Sequence, residues 1–227
     1  MGAASLPRGF FVTFEGVEGS GKSTQQALLA RRLRGEGYPV AELHEPGSTP
    51  VGEHLRPLLL RATGAPPVPF AELCLYLAAR AQLTAEVIAE ALDGGLVVLC
   101  DRFVDSTAAY QGYGRGLDVV LIERLNREAT GGIWPQLTVL LDLDPAVGLA
   151  RLAGRAEAGT DGPDRFEREA LAFHRRVREG YLALARAEPG RFLVLDAKRE
   201  PGPIATEIWE GVDPRLRRAA VAPAPPA

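Results

Sequence analysis

One stretch near the amino terminus constrains this chain more than any other. Phe10-Phe11-Val12-Thr13-Phe14 is a short run of aromatic and β-branched residues. Glu15-Gly16-Val17-Glu18-Gly19-Ser20-Gly21-Lys22-Ser23-Thr24 follows at once, and residues 25–34 read as helix. Gly16 to Ser23 fits G-x-x-x-x-G-K-[ST], the P-loop pattern, in the context that pattern requires: an apolar strand before it and a helix after it. Phosphate chemistry explains the spacing. Gly16, Gly19 and Gly21 permit positive φ and close backbone approach. Successive N–H groups from Gly16 through Val17, Glu18, Gly19, Ser20, Gly21, Lys22, Ser23 and Thr24 then form an anion nest at the positive end of the helix. Lys22 is expected to reach β- and γ-phosphates, and the Ser23 hydroxyl to take a Mg²⁺ position.

Strand and helix signals alternate along the rest of the chain. Further strands are expected at 38–43, 96–100, 137–143 and 191–196. Helices are expected at 51–61, 70–92, 106–110, 118–130 with Asp118 as N-cap, from Pro145 onward, at 164–187 and at 203–211. The run Leu96-Val97-Val98-Leu99-Cys100 is apolar throughout, as suits a parallel strand buried on both faces. The expected fold is α/β: a P-loop NTPase-type doubly wound sheet of five mainly parallel strands with flanking helices and a short lid. Residues 1–9 read as a flexible amino terminus, 10–212 as the domain, and 213–227, ending in a Pro/Ala run, as a disordered tail. Ligands of such sheets collect beyond the strands' carboxyl ends. The P-loop, the 44–49 loop, Asp101-Arg102 and residues 142–144 all fall there.

With 227 residues and a formal net charge of −3, the chain suits one domain. It carries no basic stripe interleaved with aromatics, so a nucleic-acid partner is not expected. No apolar run approaches the roughly 18 residues of a membrane span, and Met1 to Gly9 has no hydrophobic signal core. A cytoplasmic enzyme is expected. Cys74 and Cys100 sit in apolar runs without a C-x-x-C spacing and read as reduced thiols.

The motifs, taken in order, resemble those of the thymidylate kinases. They are F-E-G-x-E-G-[SA]-G-K-[ST] at 14–23, E-P-G at 45–47, G-E-x-[IL]-R at 52–56, A-A-R at 78–80 and D-R-[FYH] at 101–103. The [ST]-x-x-A-Y-Q-G stretch at 106–112 and L-D-[LV] at 141–143 follow. The resemblance spans about residues 11–196. It implies ATP-dependent phosphorylation of dTMP with Mg²⁺ and a homodimer assembled through helices. It casts Glu18 as the acid that binds the acceptor's 3′-hydroxyl, and Arg56 and Arg102 as holders of the dTMP phosphate. A guanidinium forks onto phosphate oxygens, so two can fix a monophosphate. Tyr76 stands where the family usually has a phenylalanine stacked on thymine, and Arg80 would hydrogen-bond a base carbonyl. Their four-residue spacing alone reads as a core aromatic beside a snorkelling arginine. Thr107 and Gln111 match positions that read the pyrimidine edge. Tyr110 matches the residue near the sugar's 2′ position, or packs in the core. Asp101 binds Mg²⁺ through water or orients the acceptor phosphate.

Residues 151–165 match the family's lid. The P-loop holds no arginine, so the charge-neutralising arginine is expected from the lid, with Arg155 the first choice beside Arg151 and Arg165. One departure stands out: the family commonly has arginine before E-P-G, and here it is His44. Rivals are another nucleoside monophosphate kinase, or a nucleotide-binding switch protein. The guanine-reading N-K-x-D motif that a switch protein would carry is absent.

Overall fold

The computed structural model describes residues 6–61, 65–157 and 164–221, with backbone alone at 155–157. Its centre is a five-stranded sheet in the order β2-β3-β1-β4-β5, every pairing parallel. The strands are β1 (Phe10–Glu15), β2 (Val40–His44), β3 (Val97–Asp101), β4 (Leu137–Asp142) and β5 (Phe192–Asp196). β1, β3 and β4 are central and almost wholly buried, which is why each reads as a largely apolar run, broken only by Thr13 and Thr138, whose hydroxyls pair at 2.9 Å, before the acidic residue at its end. The winding reverses at β1, so the crevice opens beyond its carboxyl end, where the P-loop lies.

Helices cover both faces: α1 (Lys22–Gly35), α2 (Pro50–Leu60), α3 (Pro69–Leu83), α4 (Ala89–Asp93), α5 (Val104–Thr107), α6 (Val119–Ala129), α7 (Pro145–Glu157), α8 (Leu171–Ala187) and α9 (Pro201–Val221). A wider-wound stretch, Thr84–Ile88, joins α3 to α4, giving the long rod expected at 70–92. Asp118 caps α6 by accepting from the Val120 N–H at 2.9 Å.

Four boundaries differ from expectation. The helix expected at 164–187 begins only at Leu171, because residues 164–170 form a turn in which Asp164 accepts from the Glu167 N–H. The helix expected at 106–110 runs on from α5 through a second wide stretch, Ala108–Gly114. Its glycines do not break it because they are packing positions: a Cβ at Gly114 would meet the Phe173 ring at 2.7 Å, and one at Gly112 would meet Val119. The tail set at 213–227 is in fact helical to Val221. Ile204, Ile208, Val212 and Leu216 form a buried stripe at four-residue spacing that carries α9 past Pro214; residues 222–227 lie outside the described residues. The flexible terminus set at 1–9 is also too long. Leu6 is buried in the core, and the Gly9 N–H donates to the Leu92 carbonyl at 2.7 Å.

Candidate active site

The P-loop takes its shape from two close approaches. A Cβ on Gly16 (φ 140°) would sit 2.5 Å from the Leu141 carbonyl oxygen. One on Gly19 (φ 70°) would sit 2.3 Å from that of Gly148 in α7. The loop is thus wedged between β4 and the first turns of α7, with α1 rising from it. Lys22 is buried, and its Nζ donates to the carbonyls of Gly16 (3.1 Å) and Val17 (3.0 Å). Burial, then the Arg102 charge, lowers the ammonium to about 8, against the pull of Asp101, Glu18 and Glu15. An anionic phosphate at this position would restore its proton affinity. Ser20 Oγ is buried with no hydrogen-bond partner among the described residues, an orphan of the kind an anion site leaves. Ser23 Oγ donates to Asp101 Oδ2 at 2.6 Å across the end of β3.

Two clefts open on either side of this loop, and both touch Gly19. The first has Glu18, Lys22, Arg56, Tyr76, Arg80, Arg102, Thr107, Tyr110 and Gln111 in its walls, so all eight residues assigned to dTMP meet in one place. Arg102 follows β3 in left-handed conformation (φ 72°). Its side chain donates to Glu18 Oε1 (3.0 Å) and to the Gly16 carbonyl (3.2 Å), and lies over the Tyr110 ring. Burial opposes the Arg102 charge, but Tyr110, Tyr181, Glu18 and Asp101 outweigh it and hold the guanidinium well above its usual range. The Tyr110 hydroxyl donates to Glu18 Oε1 at 2.5 Å, so Tyr110 does more than fill the core. Burial pushes the Glu18 carboxyl up, but His174, Arg102, Lys22 and Tyr110 together pull it down to about 2.

The base-carbonyl role expected of Arg80 does not match its geometry. Arg80 is almost fully buried, and all five of its N–H donors are engaged. Nε and one Nη2 hydrogen go to Glu45, with Nη2 at 2.6 Å. The other Nη2 hydrogen goes to the Phe103 carbonyl. Nη1 serves Thr107 Oγ1 and Asn126 Oδ1, each at 2.6 Å. Arg80 therefore sets the wall, and Thr107 faces the cleft. Gln111 Nε2 donates to Glu72 at 2.6 Å.

Arg165 does not project toward the P-loop. Its Nη1 pairs with the fully buried Glu72 at 2.6 Å, and its Nε donates to the Leu59 carbonyl. Arg151 does reach the loop: Nη1 lies 3.3 Å from the Gly19 carbonyl oxygen and 3.1 Å from that of Ala197. The Arg155 side chain and lid residues 158–163 lie outside the described residues. His44, in place of the usual arginine, has its ring between Glu53 Oε1 (3.1 Å) and Ser48 Oγ (3.2 Å), half exposed and turned away from the first cleft.

The second cleft contains groups that sequence reasoning missed. Besides Thr24 and Arg151, it is lined by Lys198, Arg199 and Pro201 from the turn after β5. Their signal was position, because that turn follows a strand's carboxyl end. Glu15, Ser106, Tyr181, Glu72 and His174 were also missed. Glu15 is wholly buried at the end of β1; it accepts from the Phe103 N–H (2.8 Å), Ser106 (2.6 Å) and Tyr181 (2.8 Å). Burial, then the Asp105 charge, raises it to about 7, against Ser106, Arg102 and Tyr181.

Comparison with known proteins agrees with this arrangement. The family profile "Thymidylate kinase" matches residues 14–208. A thymidylate kinase of Solidesulfovibrio magneticus is 56% identical over 88% of this chain and 96% of its own length. One of Deinococcus radiodurans is 51% identical over 92% and 99%. The crystal structure of thymidylate kinase from Ehrlichia chaffeensis superposes with a TM-score of 0.72 at 32% identity, covering 91% of this chain and 99% of that one. With the P-loop between two clefts and the motif residues gathered in the first, the chain belongs to the thymidylate kinase family.

Proposed function

We infer that this chain transfers the γ-phosphoryl group of ATP to dTMP, giving dTDP and ADP, as a step toward dTTP. The observation that carries the reading is the P-loop standing between two clefts, with Glu18, Arg102 and Tyr110 converging on one side of it. ATP lies along the P-loop with its base toward the second cleft, and dTMP fills the first. An oxygen of the acceptor phosphate forms a bond to the γ-phosphorus while the bond to ADP breaks, with no covalent enzyme intermediate. The protein's part is alignment and charge neutralisation.

Lys22 exchanges the carbonyls of Gly16 and Val17 for phosphate oxygens. Arg102, next to the P-loop and in the first cleft, holds the acceptor phosphate with Arg56, which donates to the Pro46 carbonyl at 2.5 Å. Glu18 receives the 3′-hydroxyl, and Tyr110, held against Glu18, closes the space a 2′-hydroxyl would need. Tyr76 forms the cleft wall on which the base stacks. Glu72 accepts only, so the Gln111 amide must present nitrogen to it and oxygen to the base, where it can accept thymine N3–H. Thr107 accepts from Arg80, which leaves its own hydrogen for a base carbonyl. Ser23 and Asp101 offer a hydroxyl and a carboxylate, the hard oxygen donors Mg²⁺ takes alongside substrate phosphates and water. When bound there, the ion would neutralise phosphate charge. Arg155 or Arg151 supplies the lid's positive group.

A homodimer is supported by the exposed apolar side chains Phe70 on α3 and Val120 and Leu121 on α6. A cytoplasmic location is supported by the nucleotide substrates and the two free thiols. Among the described residues no helix is long and apolar enough to cross a membrane. A coupled assay of ADP release with dTMP, dUMP, AMP and GMP tests the reading. Turnover highest with dTMP is expected; faster phosphorylation of AMP or GMP overturns it.

A further inference from the structure

Helix α8 carries a histidine where an apolar residue would be expected. His174 is 1% exposed, on the same buried face as Phe173, Val177 and Tyr181. Its Nε2 is buried with no hydrogen-bond partner among the described residues to offset the lost hydration. The other ring nitrogen, Nδ1, lies 3.2 Å from Glu18 Oε2. An ionised carboxylate only accepts, so Nδ1 carries the hydrogen. Oε1 of the same carboxylate is taken by Tyr110 and Arg102. The contact of His174 with Oε2 is close but off-axis, and Oε2 has no well-aligned hydrogen bond of its own.

A glutamate's terminal torsion is broad and roughly two-fold, so contacts to Oε1 alone leave the carboxylate free to swing. We propose that His174 is a specificity-positioning residue: from behind the cleft it fixes the plane of the Glu18 carboxylate, so that Oε2 keeps a lone pair aimed at the acceptor's sugar 3′-hydroxyl. This rests on the reading of Glu18 given above. It makes discrimination between acceptors with and without that hydroxyl depend on a residue that does not line the cleft.

The test is steady-state kinetics of the full chain with dTMP and with 3′-deoxythymidine 5′-monophosphate, for the parent, His174→Phe, His174→Asn and Glu18→Gln. Phenylalanine keeps a planar aromatic ring, somewhat larger than imidazole, and removes the nitrogens. Asparagine restores an N–H near the position of Nδ1. His174→Phe is expected to cut the parent's preference for dTMP about tenfold, the scale of one hydrogen bond to a charged group. The cut should come through a raised KM for dTMP with little change for the 3′-deoxy acceptor, and His174→Asn should keep most of the preference. His174→Leu serves if the Phe variant does not fold. Parental preference in His174→Phe alongside its collapse in Glu18→Gln overturns the proposal and leaves Glu18 reading the hydroxyl unaided. Equal losses in the Phe and Asn variants also overturn it, because ring packing would then be acting. If Glu18→Gln leaves the preference unchanged, or the parent has none, the reading of Glu18 itself fails and the proposal with it.

Discussion

Removing the guanidinium of Arg80 tests whether this residue builds the acceptor cleft or touches the base. In Arg80→Met the flexible stem is kept and five donors are lost. Glu45, with a side chain 3% exposed, is then left with no cation against it. Breaking a buried pair by deleting one partner costs about 3–5 kcal/mol. For a chain of this size each kcal/mol moves the melting temperature by roughly 2–4 °C, so a fall of about 6–20 °C is expected in the ligand-free protein. Burial already raises the Glu45 carboxyl, and Arg80 is what opposes the rise. Without Arg80 the folded-state value climbs further above the unfolded one. The variant's deficit should therefore be smallest in mild acid and grow as pH rises through neutrality, where the carboxyl must ionise in place. Adding Glu45→Gln to Arg80→Met should recover part of the loss and flatten that pH dependence. Calorimetry at about pH 5.5 and 7.5 reads both effects. If Arg80→Met melts within about 2 °C of the parent while the KM for dTMP rises steeply, the buried-hub argument is wrong, and the guanidinium's main partner is the base.

Other outcomes follow from the same geometry. Lys22→Ala should abolish phosphoryl transfer without unfolding the protein, because Nζ gives up only two loop carbonyls; near-parental turnover in a folded variant would refute the P-loop assignment. Glu15 is raised from 4.5 to about 7, so its contribution to stability is full below about 4.5 and lost as pH rises through 7. Relative to Glu15→Gln, the parent should lose roughly 3 kcal/mol of unfolding free energy across that window in urea titrations, and a flat difference would refute it. Arg155→Ala or Arg151→Ala should lower turnover by about 10³-fold or more at saturating substrates, while Arg165→Ala should act chiefly on stability by taking the nearer of two arginines from the buried Glu72, which keeps Arg115. Near-parental turnover in both of the first two would remove the lid as the source of charge.

Local signal decided what could be read in advance. The central strands were legible because a parallel strand covered on both faces is apolar at nearly every position. The last helix was cut short because the Pro/Ala run at the end of the chain outweighed a four-residue stripe that only packing against α1 and β5 makes stable. Glu18, Arg102 and Tyr110 stood out through their motifs, and they do converge. The environment of Arg80 could not be read locally, because its partners Glu45, Phe103, Thr107 and Asn126 come from three separate segments. His174 was missed for a related reason: residues 164–187 read simply as helix, and only the fold shows which turn points inward.

The partners of the cations also sort out which of them can serve a phosphate. Arg80 is tied to Glu45, Arg115 to Glu72 and Glu169, and Arg165 to Glu72. Carboxylates are poor leaving partners: pulling a guanidinium from one strands a buried negative charge. Lys22 and Arg56 are held among the described residues by neutral backbone carbonyls. Arg102 divides its donors between Glu18 and the neutral oxygens of Gly16, Ser106 and Tyr181. A carbonyl gives up its donor to a phosphate oxygen at little cost, because the exchange replaces a neutral hydrogen bond with a charge-assisted one. Arg151 is likewise held by the carbonyls of Gly19 and Ala197. The cations that can turn to phosphate therefore include Lys22, Arg56, Arg102 and Arg151, all beside the P-loop or the E-P-G turn. The acidic residues around the cleft keep the other arginines in the wall, where they shape the base pocket without competing for the transferred group.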